Sequence, residues 1–334
     1  MAVGLRALVR WDEWRDTKVP LFLVAMFYAA LVRPHFGARL LGEMALLYVI
    51  LSAYAAFGHL INDYSDREAD LRAHKRNAMA AISSSKAKAL LALSVALGFV
   101  PTLYFRHEPA VIVLLAVSYL LAAAYSMPPW RLKERGWLGL LAPAVAQRTL
   151  PSLIIFAALG PWDFVSIAIT LAATLLGLRY MLVHHIADRA ADARVGFRTI
   201  VTVHGAPYAA RMIRILFPFE AASVALAALG MGRVAPGMGI VVLLYLAVLG
   251  WRSWMGAKLG EKPTPVSYGL LANFYNVYWP ISLAVLLALV EPLYVVVLVL
   301  TVLSQLRPIR QEWLTARRLV TTSASPSRQR PSKS

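Results

Sequence analysis

Two short stretches of this chain hold a disproportionate share of its carboxylates. Of 17 Asp and Glu residues, six (Asp63, Asp66, Glu68, Asp70, Asp188 and Asp192) fall within two segments that end apolar runs. In the first, Asn62, Asp66 and Asp70 stand at i, i+4 and i+8 with Asp63 one step round, so a helix would put all four on one face. In the second, Asp188 and Asp192 are again four apart, with His184 one turn earlier. Carboxylates crowded at a helix end repel one another unless a cation lies between them, and hard oxygens that share an ion with water and phosphate are the ligands Mg²⁺ prefers. The pattern predicts a metal-bridged diphosphate, with Asn62, Asp63, Asp66, Asp70, Asp188 and Asp192 as metal ligands. A solvated loop balanced by Arg67, Arg72, Lys75 and Arg76 would explain one acidic stretch, but it explains poorly why there are two.

A third stretch reads Tyr125-Ser126-Met127-Pro128-Pro129-Trp130-Arg131-Leu132-Lys133-Glu134-Arg135. Pro128-Pro129 ends the preceding helix and fixes an extended turn. Arg131, Lys133 and Arg135 are then left near the same face, where they could neutralise a departing diphosphate. Taken singly, each is an ordinary membrane-face anchor, and only the company of the carboxylates suggests chemistry.

The elements that must position these groups are apolar. With 59% hydrophobic and 15% charged residues and a mean hydropathy of +0.62, the chain predicts an all-α, multi-pass transmembrane bundle. Ten candidate spans run over approximately 19–33, 40–61, 86–104, 109–126, 138–158, 164–183, 207–229, 236–255, 267–289 and 292–306. With the N-terminus inside, 28 of the 34 Lys and Arg residues fall in inner segments, so the charge bias places the N-terminus and the Asp-rich loops in the cytoplasm, with the bundle in the cell (inner) membrane. Met1–Lys18 reads as a cytoplasmic interfacial stretch, 19–306 as the membrane domain and 307–334 as a basic, disordered tail. The net charge of +17 is spread over short loops, which argues against nucleic acid as a partner, and the lack of cysteine excludes thiolate chemistry. Glu43 and Glu220 lie within spans, an expensive place for a carboxylate, and are expected to face the bundle interior with a partner.

In these motifs the chain resembles the UbiA superfamily of intramembrane prenyltransferases. That family carries an Asn-Asp-x-x-Asp-x-x-x-Asp loop after its second span, a Tyr-Ser-x-Pro-Pro-x-Arg-x-Lys loop after its fourth and an Asp-x-x-x-Asp loop after its sixth, and all three occur here in order. The resemblance covers about residues 15–290. It implies nine spans around a central cavity, a prenyl diphosphate and a hydrophobic or amphipathic acceptor as substrates, and Mg²⁺ as cofactor. By similarity, Asn62, Asp63, Asp66 and Asp70 would bind one edge of the Mg²⁺-diphosphate, Asp188 and Asp192 the other, and Arg131 and Lys133 the phosphate oxygens. Asp66, Asp192 and Lys133 are then the expected catalytic groups, and Asn62, Asp63, Tyr125, Arg131 and His184 the expected substrate contacts. Three departures stand out. His185 occupies a position that is often Asp, Lys75-Arg76-Asn77-Ala78-Met79-Ala80 replaces an Arg-Pro that precedes a Gly, and a tenth apolar span follows the ninth.

The implied chemistry is ionisation of an allylic diphosphate, shielding of the cation by an apolar cavity, and attack by an aromatic or quinone-precursor acceptor. Phe57, Tyr119, Phe274, Tyr275 and Tyr278 are candidates to line the prenyl tail, and His184 or His185 could serve as a base. Two other functions compete: a cyclase of the same fold that needs no acceptor, and a transporter with the carboxylates as a cation relay. The acids sit at one face rather than mid-membrane, which counts against the transporter.

Overall fold

The computed structural model describes residues 4–33, 36–72, 77–194, 196–258 and 271–323. Two short helices, α1 (Leu5–Leu8) and α2 (Trp11–Arg15), lead into α3 (Val19–Val32) and α4 (Ala38–Ser65). After a turn at Asp66 come α5 (Arg67–Arg72), α6 (Ser84–Phe99), α7 (Pro109–Ser126), α8 (Trp137–Ala144) and α9 (Leu150–Leu159). The chain continues through α10 (Phe164–Arg194), α11 (Ile200–His204), α12 (Ala206–Gly230) and α13 (Met238–Lys258), then α14 (Trp279–Val290), α15 (Val295–Ser304) and α16 (Leu306–Ser323).

The long helices α3, α4, α7, α9, α10 and α12–α15 are apolar along most of their length, as a bundle bathed in lipid requires. Phe27, Leu47, Ile50, Ile154, Phe156 and Trp279 fill the core, while Leu103, Leu120, Leu243, Leu289 and Leu300 are exposed on the outside, where water would penalise them and acyl chains do not. The protein is therefore a multi-pass membrane protein. Among the described residues six helical stretches are long and apolar enough to cross a bilayer, or seven if the pair Pro292–Ser304 and Leu306–Arg318, bent by 58°, counts as one span. The expectation of nine to ten full spans is corrected to this extent. Val19–Val32, Met238–Arg252 and Phe274–Val290 are helical but shorter; the 14 residues of the first rise about 21 Å, against a hydrocarbon core of about 30 Å. Residues 259–270, where the ninth candidate began, lie outside the described residues. The stretch expected as an irregular tail from residue 307 is helical through Ser323, and 324–334 lie outside the described residues.

Two helices overshoot the bilayer. At about 1.5 Å per residue, the 28 residues of α4 and 31 of α10 measure about 42 and 46 Å, so each must project its end beyond a core of about 30 Å. Both carry their Asp motif at or just beyond the C-terminal turns.

Glu43 and Glu220 meet the expectation of an interior partner. Arg33 donates to Glu43 at 2.6 Å, joined by Arg39 and Tyr104 at 3.2 Å. Arg179 of α10 and Glu220 of α12 form a fully buried pair, with Nη2 donating to Oε1 at 2.9 Å. The aromatic residues expected to guide a prenyl tail pack instead against core neighbours. Phe57 and Tyr119 lie 4.7 Å apart between ring centres, Phe274 stacks obliquely on Trp279 at 5.3 Å, and Tyr278 meets Tyr245 at 5.1 Å. Large planar side chains fill interhelical gaps efficiently, and that accounts for their helical spacing here.

Candidate active site

The first acidic motif is not one continuous helix face. α4 ends at Ser65, and Asp66 takes a non-helical conformation as its cap (φ −97°, ψ 2°) before α5 resumes. The turn is closed by the Asp66 amide on the Asn62 carbonyl at 3.0 Å and the Asp70 amide on the Asp66 carbonyl at 2.8 Å. It divides the acids between different partners. Asp63, 1% exposed, is gripped by both arms of Arg10, at 2.7 and 3.0 Å. Asp70 accepts from Asn77 Nδ2 at 2.8 Å, and the same nitrogen donates to the Asp63 carbonyl at 2.8 Å. Asp66 faces the third motif: Lys133 Nζ donates to its Oδ2 at 2.5 Å and to Asn62 Oδ1 at 3.3 Å, and Arg131 Nη2 reaches Asp66 at 3.3 Å.

The third motif earns that position by its backbone. Arg131 adopts a left-handed conformation (φ 37°) that costs a non-glycine residue about 1–2 kcal/mol, and its amide turns back onto the Met127 carbonyl at 2.9 Å. The fold-back aims Lys133 inward, only 8% exposed. Gly139 of α8 lets this loop approach closely, because a Cβ there would lie 2.7 Å from the Lys133 carbonyl. Burial pushes the Lys133 ammonium below the ordinary lysine range, against the opposing pull of Asp66.

The second acidic motif lies on the last turns of α10. Asp192 is buried, and its carbonyl accepts from the Phe197 amide at 2.9 Å; His184 and Asp188 pair loosely at 3.5 Å on the exposed side. A helix C-terminus is the negative end of the dipole, so two carboxylates there favour a cation. Residues Arg135–Gly136 (β1) run parallel to Arg198–Thr199 (β2), lacing the Lys133 loop to the segment after α10. Asp66 and Asp192, at the ends of α4 and α10, both act electrostatically on the Tyr125 hydroxyl. Ser126 closes the group with a bond to Asn62 Oδ1 at 3.3 Å.

Of the predicted metal ligands, Asn62 and Asp66 meet at Lys133 and Asp192 acts with Asp66 on Tyr125, whereas Asp63 and Asp70 are turned to Arg10 and Asn77, and Asp188 to His184. Among the described residues no three carboxylate or imidazole groups converge on one ion position; Lys133 and Arg131 stand on Asp66, and Arg10 on Asp63. The donor set, amide and carboxylate oxygens without sulfur, nonetheless fits Mg²⁺ in kind. Of the departures, Asn77 binds both Asp63 and Asp70, His185 is buried with Nδ1 free of any hydrogen bond, and Lys75 and Arg76 lie outside the described residues.

Below this mouth opens a cavity of about 340 Å³ whose rim includes Asn62, Tyr125 and His184. Its wall is more polar than the sequence suggested: Lys18, His59, Gln147, Arg148, Tyr54 and Tyr180 all face it. The aromatics are Phe22, Tyr54, Tyr125 and Tyr180, replacing the five expected. Arg148 sits in a π-helical turn (Val145–Thr149) flanked by Pro143 and Pro151. Prolines loosen the helical ladder there and the wide turn re-aims the side chain. Gly177 on α10 makes room for it, since a Cβ would lie 2.8 Å from Arg148 Cγ. The signals for this wall were faint but present: an arginine within a span, and a histidine one turn before Asn62.

Comparison with known proteins agrees with this fold. A model of the UbiA prenyltransferase family matches residues 19–277. The "Bacteriochlorophyll synthase 34 kDa chain" of Chloroflexus aurantiacus is 30% identical over 156 residues, 46% of this chain; the match spans half of that relative's length. Among solved structures, a UbiA homolog from Archaeoglobus fulgidus bound to DMAPP and Mg²⁺ superposes with a TM-score of 0.57 at 19% identity, covering 84% of this chain and 99% of that one. A UbiA homolog from Aeropyrum pernix K1 superposes with the same score and identity, covering 82% and 98%. These two likenesses establish the fold.

Proposed function

We propose that this chain, which belongs to the UbiA prenyltransferase family, moves a prenyl group from a prenyl diphosphate to an acceptor at the mouth formed by the ends of α4 and α10. One observation carries the reading: Lys133 bonds both Asn62 and Asp66 at the end of α4, and the parallel pairing of Arg135–Gly136 with Arg198–Thr199 ties that lysine's loop to the segment after Asp192 on the other long helix. Oxygen ligands and a buried ammonium at one opening are what a metal-bound diphosphate requires.

Asn62, Asp66 and Asp192 would hold Mg²⁺, which supplies charge neutralisation for the leaving diphosphate. A relative in fold is described with DMAPP or GPP and Mg²⁺ bound, which supports that assignment. When the diphosphate enters, Lys133 and Arg131 exchange Asp66 for phosphate oxygens and hold them as the bond from the allylic carbon to oxygen breaks. The acceptor's nucleophilic atom then forms the new bond to that carbon, and its proton leaves to solvent or a nearby base. The bundle around the cavity keeps water from the intervening cation.

The cavity wall favours transfer over cyclisation. A cyclase would enclose its cation in apolar and aromatic surface, and the Lys18, Gln147 and Arg148 side chains would be misplaced there. The charge bias of the loops supports placing the Asp-rich mouth on the cytoplasmic face. The test is release of pyrophosphate by protein in nanodiscs supplied with geranyl diphosphate, Mg²⁺ and a panel of aromatic, chlorin and quinone-precursor acceptors. Turnover that requires both acceptor and metal supports the assignment; terpene products formed without an acceptor would replace it with the cyclase.

A further inference from the structure

The C-terminal helix α16 carries four arginines, Arg307, Arg310, Arg317 and Arg318, and leaves the line of α15 at a bend of 58°. That bend lies at the bilayer boundary on the mouth side. Arg307 reaches Asp16 at 3.5 Å, just before α3 enters the bundle at Val19, and the same N-terminal segment brings Arg10 to Asp63. Further along, Glu312 is held towards the bundle: Arg252 Nη1 pairs with it at 2.9 Å, Asn273 Nδ2 donates to it and the Tyr278 hydroxyl donates at 3.4 Å. Pro308, one turn before Glu312, is buried, so this face of α16 is turned inward and the others point away from the protein.

We infer that α16 is an interfacial helix that binds anionic phospholipid headgroups on the mouth side of the membrane. Its outward pattern repeats. Leu306 and Trp313, 53% and 57% exposed, stand seven residues apart, and each is followed one turn later by an exposed arginine, Arg310 and Arg317. The Arg317 guanidinium lies 5.2 Å from the Trp313 ring centre, and Gln311 and Thr315 occupy the side opposite these apolar residues. Exposed Leu and Trp side chains are costly in water and settle among acyl chains below the headgroups, while arginines one turn away reach the phosphates. Among the described residues no carboxylate pairs with Arg310 or Arg317, and Glu312 is taken by Arg252. Charge complementarity therefore selects the lipid: each arginine beside an anionic leaflet adds about fivefold in affinity, which a surface without net charge does not supply. The inference is independent of the prenyl-transfer reading, since α16 contributes no residue to the cavity wall.

Native mass spectrometry of the full chain tests this, using mixed micelles that hold equal amounts of phosphatidylglycerol and phosphatidylcholine. The wild type should retain phosphatidylglycerol over phosphatidylcholine by at least about twentyfold, and Arg310→Gln and Arg317→Gln should each lower that preference about fivefold, the pair together bringing it near parity. Both side chains are exposed, so the variants should elute as the wild type does on gel filtration. Arg106→Gln, an exposed change between α6 and α7 at the opposite end of the bundle, should leave the preference as it was. Equal retention of the two lipids by the wild type overturns the inference. So does a preference that survives in the double variant, because the lipid would then sit elsewhere on this basic chain. Soluble glycerol phosphate that strips the lipid as readily as added phosphatidylglycerol does would also overturn it, since the helix would then read a free phosphate and not a leaflet.

Discussion

Two charge clusters in this bundle differ in how completely they are closed. Between α10 and α12, Arg179 and Glu220 satisfy one another in a site that admits no water. At the mouth and cavity, carboxylates face a lysine they could exchange, and Lys18 and Arg148 face a cavity. A paired buried charge is part of the frame; one at an opening, in a medium where charge is expensive, can take a ligand in place of its partner. Opposite outcomes on mutation should separate the two kinds.

The largest expected effect is at the mouth. Asp66→Ala and Asp192→Ala should each lower turnover by roughly a thousandfold or more, about 4 kcal/mol of transition-state stabilisation, with the folded, membrane-inserted yield nearly intact by gel filtration. Wild-type turnover in either variant would erase the contrast. Glu220→Gln should do the reverse. Leaving Arg179 buried without its anion should cost about 3 kcal/mol of stability, read as a lower midpoint of thermal unfolding, while the surviving folded fraction keeps its kcat. An intermediate case is Lys133→Met, expected to lower kcat about a hundredfold, more than it raises KM for the diphosphate; a change confined to KM would make Lys133 a binding residue only. Chelation of Mg²⁺ should abolish turnover, and its return should restore it.

A further effect concerns pH. Burial, then the neighbouring Arg148, pulls Lys18 down from its ordinary 10.5 to about 7, against Glu13 and with Arg10, and His59 is its hydrogen-bond partner. Between those values the unfolded chain binds more protons than the native one, so stability of the ligand-free protein should rise with pH from about 7 towards 10. Lys18→Met should flatten that rise, read as the pH dependence of thermal unfolding. A slope unchanged in the variant would assign it to other groups.

Much of this was legible in the sequence, for reasons that also mark where it failed. Long apolar runs announce helices in lipid because no other backbone arrangement satisfies its hydrogen bonds there, and the Asp66–Lys133 meeting follows from residue types that attract across two loops. The break at Asp66 was not legible, because the i, i+4 spacing suits an unbroken helix equally well. Nor was the diversion of Asp63 to Arg10, an arginine 53 residues earlier. Phe57, Tyr119 and Phe274 misled because an aromatic side chain filling a core looks, in sequence, like one lining a pocket. Lys18, His59 and Arg148 come from three separate segments, and only the folded chain brings them to one cavity wall.

The two-residue ladder between Arg135–Gly136 and Arg198–Thr199 has a mechanical corollary. Backbone bonds tie the carrier of Lys133 to the stretch that follows Asp192, so these halves of the opening behave as a single jaw. An insertion or deletion in either segment would shift cation and carboxylate together, and tolerance of length changes should be far lower there than at the opposite end of the bundle.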